Sequence, residues 1–172
     1  IYKIKFLNKK MTQEENKENN QENKAKKETK EEDIDDKCEI LTSDYIGFDF
    51  NYKIIIIGNS GVGKTCLTYR ATTDQFQDKI SPTLGLEYSP FILKYKEKII
   101  KLEIWDTCGQ EAYRSLIKSF FTNASLAIIV YAIDDYNSFK SIDEWVRQCK
   151  TTCSPDTKFF LIGNKIDVDP EE

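Results

Sequence analysis

The sequence predicts an α/β fold in which helices cover both faces of a mainly parallel sheet. Three short apolar runs have the length and composition of buried strands: Tyr52–Ile57, Leu126–Ala132 and Lys158–Ile162. Stretches of helical character separate these runs, and alternating strands and helices are typical of a parallel sheet. Because ligands of such sheets bind beyond the carboxyl ends of the strands, the residues that follow each run are the candidates for a functional site.

The elements between these strands follow in order along the chain. A glycine-containing loop after Ile57 leads into a helical stretch that ends near Ala71, and residues 74–85 are predicted as a loop. Two further strands, Leu86–Tyr95 and Lys98–Trp105, flank a tight hairpin at Lys96 and Glu97. Residues 112–121 are predicted to be helical. Five apolar residues recur at helical spacing and are predicted to face the core: Phe139, Ile142, Trp145, Val146 and Cys149.

Composition divides the chain into an N-terminal extension and one domain. The 172 residues are 40% hydrophobic, enough for one modest core. Residues 11–37 hold ten acidic residues and six lysines, which account for the whole net charge of -4. We expect this stretch to be disordered, with a solvated helix as the alternative. Residues 1–50 are therefore predicted as an acidic extension with an approach segment at 38–50, and residues 51–172 as the domain.

Several functional classes are excluded by composition. Histidine is absent, which excludes His-activated nucleophiles, His-ligated metals and a His general base. The five cysteines form no framework, and free thiols fit a reducing compartment. The longest apolar run, Leu126–Ala132, is too short to span a bilayer. Outside residues 11–37 the charges balance, so we expect no nucleic acid partner. Met11, the only methionine, is a candidate start residue.

A phosphate-binding loop follows the first predicted strand. Residues 58–65 read GNSGVGKT and fit the pattern G-x-x-x-x-G-K-S/T between a strand and a helix. Glycines let the backbone direct consecutive N–H groups at phosphate oxygens, and the helix N-terminus adds positive potential. Lys64 can reach the β- and γ-phosphates, and the Thr65 hydroxyl can bind Mg²⁺. The alternative is a glycine-rich turn with a solvated lysine. The predicted nucleotide-binding residues here are Gly58, Ser60, Gly61, Val62, Gly63, Lys64, Thr65 and Cys66.

The segment Asn164-Lys-Ile-Asp167 after the last strand indicates which base is bound. The Asp167 carboxylate can accept hydrogen bonds from guanine N1–H and from the 2-amino group, whereas adenine would leave it unpaired. Asn164 can brace the loop, and the stem of Lys165 can lie over the ring. We therefore expect guanine nucleotides.

A third motif, Trp105-Asp-Thr-Cys-Gly-Gln-Glu111, completes a set that resembles the small GTPases of the Ras superfamily. The stretch Gly109–Leu116 is most similar to the Rab family, and the resemblance covers about residues 51–169. It implies a P-loop NTPase-type fold. The chain departs from the pattern at Cys108, where alanine is usual. It also ends before the last strand, base-contacting loop, helix and lipid-modified tail of the family, so we expect it to be a fragment whose C-terminal elements are missing.

The resemblance also implies roles for particular residues. Thr65 and Thr83 would bind Mg²⁺ directly and Asp106 through water. The Gly109 amide would contact the γ-phosphate, Gln110 would orient the attacking water beside Lys64, and an aromatic residue, Phe76, would stack on guanine. The two segments that change with the nucleotide would be Asp78–Gly85 and Asp106–Phe121.

The function implied is a GTP/GDP switch with Mg²⁺ that regulates membrane traffic. Effectors, exchange factors and GTPase-activating proteins would be its partners, at the cytosolic face of an intracellular membrane. Two alternatives remain. One is a nucleotide-bound interaction or structural protein with little hydrolysis, against which Gln110 argues. The other is a phosphate-loop kinase, which Asn164–Asp167 disfavour.

Overall fold

The computed structural model describes residues 38–76, 81–109 and 119–167. Within these residues six strands form one sheet in the order β1-β3-β4-β2-β5-β6. The strands are β1 (Cys38–Leu41), β2 (Phe50–Ile57), β3 (Leu86–Tyr95), β4 (Lys98–Thr107), β5 (Leu126–Ala132) and β6 (Lys158–Asn164). The helices are α1 (Lys64–Thr73), α2 (Tyr136–Lys140) and α3 (Ile142–Thr152), with a 3₁₀ turn at Ser119–Phe121. The predicted disorder of residues 11–37 and most of the helix predicted at 112–121 lie outside the described residues.

The centre of the sheet is parallel, as predicted. Strand β2 pairs in parallel with β4 on one side and with β5 on the other, and β5 pairs in parallel with β6. Strand β3 runs antiparallel to β4 through a two-residue hairpin whose register pairs Tyr95 with Lys98. Lys96 in the turn has φ 55°, a left-handed conformation typical of such hairpins. The predicted hairpin at Lys96 and Glu97 is therefore confirmed.

Alternate residues of β2 enter two different cores. Ile55 and Ile57 pack on one face with Trp145 and Cys149 of α3. Ile56 lies on the opposite face, in a cluster against which Leu67 of α1 packs. This is the two-residue alternation of a strand that is buried on both sides. The predicted arrangement of helices on both faces is confirmed, and both layers meet where β2 ends.

Two local features differ from the sequence expectations. The segment interpreted as an approach to the domain contributes β1, which pairs antiparallel with β3 and aligns Ile40 with Leu93. Phe139, predicted to face the core, is half exposed. It belongs to α2, which ends before α3 begins, and it instead contacts Tyr131 edge-on at 5.3 Å between ring centroids. The helical spacing was continuous in sequence, but the helix is broken at Ser141.

None of the helices in the described part of the chain is both long enough and apolar enough to cross a membrane.

Candidate functional site

The predicted phosphate loop joins the end of β2 to the start of α1. Its first glycine, Gly58, has φ 146°, and a Cβ atom there would lie 2.1 Å from the Val130 carbonyl oxygen of β5. Its last, Gly63, has φ 94° and precedes the first helical residue. Only glycine fits the space at Gly58, and glycine is strongly favoured by the conformation of Gly63. The glycines of the motif therefore let the backbone turn tightly between strand and helix.

Lys64 is held inside this loop. Its side chain is buried, and its Nζ donates hydrogen bonds to the carbonyl oxygens of Gly58 at 3.1 Å and Asn59 at 2.8 Å. Burial lowers the pKa of the Lys64 ammonium, while the nearby Asp106 carboxylate opposes that change. A buried cation held on backbone carbonyls is a suitable partner for phosphate oxygens.

Three oxygen-bearing side chains meet next to the loop. The Thr65 hydroxyl lies 2.7 Å from the Thr83 hydroxyl and donates to Asp106 Oδ2 at 2.5 Å. Thr65 belongs to α1, Asp106 to β4, and Thr83 to the segment before β3. Burial raises the pKa of Asp106, and hydrogen bonding to Thr65 opposes this.

This group of oxygens has the composition of a Mg²⁺ site. The second carboxylate oxygen, Asp106 Oδ1, is buried and has no hydrogen-bond partner among the described residues. A buried, unpaired carboxylate oxygen is costly unless a ligand or water satisfies it. Hard oxygen donors with few carboxylates suit Mg²⁺, which keeps several positions for phosphate oxygens and water. The residues present therefore fit the ion.

A cavity of about 270 Å³ opens between the loop and the segment before β3. Glycines and small polar residues line most of it, so backbone N–H groups can face a polyanionic ligand. Of the predicted site residues, those that line it are Ser60, Gly61, Gly63, Lys64, Thr65, Cys66, Thr83 and Gly109; Ser81, Pro82 and Thr107 complete the wall.

Gly109 lies directly against the loop. A Cβ atom at this position would be 2.3 Å from the Ser60 amide nitrogen and 2.4 Å from the Asn59 carbonyl carbon. The residue before it, Cys108, is buried, and its amide donates to the Gly85 carbonyl oxygen at 2.9 Å. The end of β4 is thereby held close to both the loop and the Thr83 segment.

A second cavity, of about 590 Å³, also borders the loop. Four predicted base-binding residues line it together: Phe76, Asn164, Lys165 and Asp167. Its wall also contains Gly61, Gly63 and Cys66, which line the first cavity as well. The two cavities are therefore neighbours across the same loop.

Asn164 connects β6 to the phosphate loop. Its Nδ2 donates to the Val62 carbonyl oxygen at 2.8 Å. The next residue, Lys165, has φ 62° and forms an ion pair with Asp134 at 3.2 Å. The left-handed backbone at Lys165 turns the chain beyond β6 toward the second cavity, so Asp167 reaches its wall.

Most predicted site residues meet around the loop, although a few differ in what they contribute. The side chain of Val62 is buried in the core, so its contribution is its backbone. Gln110, the predicted water-orienting residue, lies outside the described residues, as do parts of both predicted switch segments. Residues that sequence reasoning missed are Asn59 with its partners Ser141 and Trp145, and Asp134 beside Lys165. Asn59 occupies a variable position of the motif, so its type carried no signal.

The part of the chain that carries this site is similar to known proteins. The protein-family model of the Ras family matches residues 53–172. Ras-related protein Rab-4B of Homo sapiens is 36% identical over 124 residues, which cover 72% of this chain and 58% of that protein. Rab-11B of Dictyostelium discoideum is 41% identical over 123 residues, covering 72% and 56%. Rab-8A of Gallus gallus is 38% identical over 120 residues, covering 70% and 58%. The chain thus spans less than two thirds of the length of these relatives.

Proposed function

The chain belongs to the Ras family, and from this membership we propose that it is a Rab-like switch that binds GTP and GDP with Mg²⁺ and hydrolyses GTP to GDP and phosphate. The observation that carries the proposal is the pair of neighbouring cavities. One is lined by the phosphate loop and the other by Phe76, Asn164, Lys165 and Asp167, and both share glycines of the loop. A ligand with a polyphosphate at one end and a base at the other fits this arrangement.

The second cavity supports guanine as the base. A carboxylate at Asp167 offers two acceptor oxygens, which match the N1–H and 2-amino donors of guanine. Lys165 has a long apolar stem, and Phe76 is 69% exposed at the cavity wall, so both have surface to lay against a planar ring. Adenine would leave the carboxylate of Asp167 without a donor, which is the mismatch that polar sites reject most strongly.

The phosphate cavity supports phosphoryl transfer to water. Lys64 and the loop amides would bind the phosphates, and Thr65, Thr83 and Asp106 would hold Mg²⁺. When bound, the ion neutralises negative charge on the phosphate oxygens. Hydrolysis of this kind needs little covalent participation by the protein, because positioning and electrostatics dominate. Gln110 is proposed to orient the attacking water, next to the Gly109 amide.

An exposed aromatic surface supports a protein partner. Tyr88 of β3 and Trp105 of β4 pair across the sheet with ring centroids 5.1 Å apart, and Phe120 lies 6.2 Å from Trp105. Tyr88 and Phe120 are each more than 40% exposed. Clustered exposed aromatic residues are typical of interaction surfaces. Trp105 directly precedes Asp106 in β4, so neighbouring residues of one strand position this surface and the nucleotide site, although their side chains point to opposite faces of the sheet.

We propose that effectors bind this surface when GTP is bound, and that exchange factors and GTPase-activating proteins act on the same switch. The resemblance to Rab proteins supports a role in membrane traffic at the cytosolic face of an intracellular membrane.

Exchange of Asp167 for asparagine tests the base assignment. Asp167→Asn presents an NH₂ group where guanine has its own amino donor, whereas xanthine has an acceptor oxygen there. The preference for GDP over XDP should fall by more than about tenfold, since a mismatched buried polar contact costs ~1–3 kcal/mol. Competition binding of GDP and XDP to the parent and the variant measures it.

A matched control is Asp156→Asn, which changes an exposed loop carboxylate that lines neither cavity. If Asp167→Asn ranks the two nucleotides as Asp156→Asn does, the base pocket is assigned wrongly.

Single-turnover GTP hydrolysis by the parent then separates a switch from a nucleotide-bound interaction protein. Tight GTP binding without turnover would favour the nucleotide-bound interaction protein.

A further inference from the structure

One residue of the phosphate loop reaches outside the nucleotide site. The Asn59 side chain points to the helical layer, where its Nδ2 donates to Ser141 Oγ at 3.1 Å. Its Oδ1 accepts a hydrogen bond from Trp145 Nε1 at 2.9 Å. The NH₂ group and the oxygen of the Asn59 amide are therefore both hydrogen-bonded, to two residues more than 80 positions away in sequence.

The two partners are themselves held firmly. Trp145 is 2% exposed and packs with Ile55 and Ile57 in the core under α3. Its backbone amide donates to the Ser141 carbonyl oxygen at 3.1 Å in the first turn of that helix. The Ser141 hydroxyl also donates to the Asn137 carbonyl oxygen at 2.9 Å. The Asn59 amide is therefore fixed against a rigid part of the fold.

The backbone of Asn59 contacts two groups of the site. Its carbonyl oxygen accepts the shorter of the two hydrogen bonds from Lys64 Nζ, at 2.8 Å. Its carbonyl carbon and the Ser60 amide lie so close to Gly109 that a Cβ atom there would overlap them. The position of Asn59 thus sets both where the Lys64 ammonium lies and how closely Gly109 approaches the loop.

We propose that Asn59 is a positioning residue for the bound nucleotide, acting through Trp145 and Ser141. The side-chain tether fixes the loop backbone before the ligand binds, so the Lys64 ammonium and the loop amides are already directed at the phosphates. Preorganised donors bind more tightly because less ordering is required on binding. This inference rests on the proposed nucleotide-binding function and assigns α3 a part in it.

The test compares GDP release from variants that break the tether on either side. Asn59→Ala removes the amide, and Trp145→Phe removes the indole N–H while it keeps an aromatic ring in the core. Each should release a fluorescent GDP analogue from the Mg²⁺-loaded whole chain about tenfold faster, equivalent to ~1.4 kcal/mol. The double variant should release it no faster than the faster single variant, because both substitutions remove the same bond.

Asn51→Ala is the matched control. It removes an exposed asparagine amide whose Nδ2 donates to Glu103 Oε1 at 3.1 Å, away from both cavities. Its GDP release should equal that of the parent. Thermal unfolding of each variant, without nucleotide and with GDP, supplies the second readout. If the tether only supports the fold, its loss would lower the melting temperature both without nucleotide and with GDP, and it would leave the release rate of GDP unchanged.

The outcomes are distinct. Release rates of Asn59→Ala and Trp145→Phe within twofold of the parent overturn the inference, as do effects that multiply in the double variant. A parent chain that binds no guanine nucleotide overturns the proposed function, and the inference with it. Faster release in both single variants, unchanged release in Asn51→Ala and no further gain in the double variant support the positioning role.

Discussion

The contact between Gly63 and Asn164 offers a sharp test of how the phosphate loop is joined to β6. A Cβ atom at Gly63 would lie 2.3 Å from Asn164 Nδ2, the atom that donates to the Val62 carbonyl oxygen. Gly63→Ala therefore forces the Asn164 amide away and leaves the Val62 carbonyl oxygen without this donor. A partly buried carbonyl that loses its partner costs ~1–3 kcal/mol.

The same substitution also strains the backbone, and a second glycine isolates that part. Gly47 has φ 95°, nearly equal to the 94° of Gly63, but a Cβ atom there meets nothing within 4 Å. A left-handed residue other than glycine costs ~1–2 kcal/mol, partly offset by ~0.4–1 kcal/mol from the reduced freedom of the unfolded chain. Gly47→Ala should therefore lower the free energy of unfolding by only ~0–1.6 kcal/mol.

Urea unfolding without nucleotide measures the difference between the two variants. Gly63→Ala should lose ~1–3 kcal/mol more than Gly47→Ala, because the Val62 carbonyl oxygen is left without the donor that Asn164 supplies. A third variant, Asn164→Ala, removes the bond and makes room for the new Cβ. In that background Gly63→Ala should cost no more than Gly47→Ala does in the parent.

Two results would refute this reasoning. Equal losses for Gly63→Ala and Gly47→Ala would mean that Asn164 moves without cost, so its bond to Val62 contributes nothing. A full loss for Gly63→Ala in the Asn164→Ala background would mean that backbone strain at Gly63 accounts for the whole effect.

Two further predictions concern the predicted water-orienting glutamine and a buried thiol. Gln110→Leu should keep GTP and Mg²⁺ binding but lower hydrolysis on the order of 10²-fold, because only water orientation is lost; unchanged turnover with a GTPase-activating protein would contradict it. Burial raises the pKa of the Cys149 thiol from its ordinary 9.0, so the folded chain keeps a proton that the unfolded chain releases. The resulting stability is present below about pH 9 and falls as pH rises above it. Urea unfolding at about pH 8 and about pH 10 should show a smaller fall for Cys149→Ala than for the parent; equal falls would exclude Cys149 as the cause.

The sequence predicted best those parts of the site where the backbone conformation requires one particular residue type. Glycine is required at Gly58 because the Val130 backbone approaches closely, and it is favoured at Gly63 because φ is positive there. Lys64 is part of the same sequence motif, so its place in the loop could be predicted with them. A short motif therefore carries its own local geometry. The prediction that Asn164 and Asp167 lie near this loop depended instead on the parallel sheet. Strands β2 and β6 run in the same direction, so their carboxyl ends lie on the same side of the sheet.

Contacts between side chains of distant segments could not be predicted in this way. The bond between Asn59 and Trp145 joins a variable motif position to a residue whose spacing indicated only a core position. Periodicity identifies the buried face of a helix, but it does not say which polar atom of a buried tryptophan finds a partner.

Strand β1 was missed for a related reason. Its four residues, Cys38–Leu41, have mostly exposed side chains and join the sheet through backbone pairing with β3. Backbone pairing at a sheet edge places few demands on side chains, so composition alone does not reveal it.

Around the loop, segments from four parts of the fold are each joined by one or two hydrogen bonds. Thr65 contacts Thr83 and Asp106, Asn164 contacts Val62, and Asn59 contacts Trp145 of α3. Each of these bonds exchanges contacts with water for contacts within the protein, so each alone contributes only ~0.5–1.5 kcal/mol. The sheet and the two cores fix where β2, β4 and β6 end, and they bring these segments together. The hydrogen bonds then select one arrangement among the few that the fold permits. A ligand that fills both cavities would bridge the same segments, and its binding would stabilise that arrangement by an amount that grows with the ligand concentration relative to its Kd.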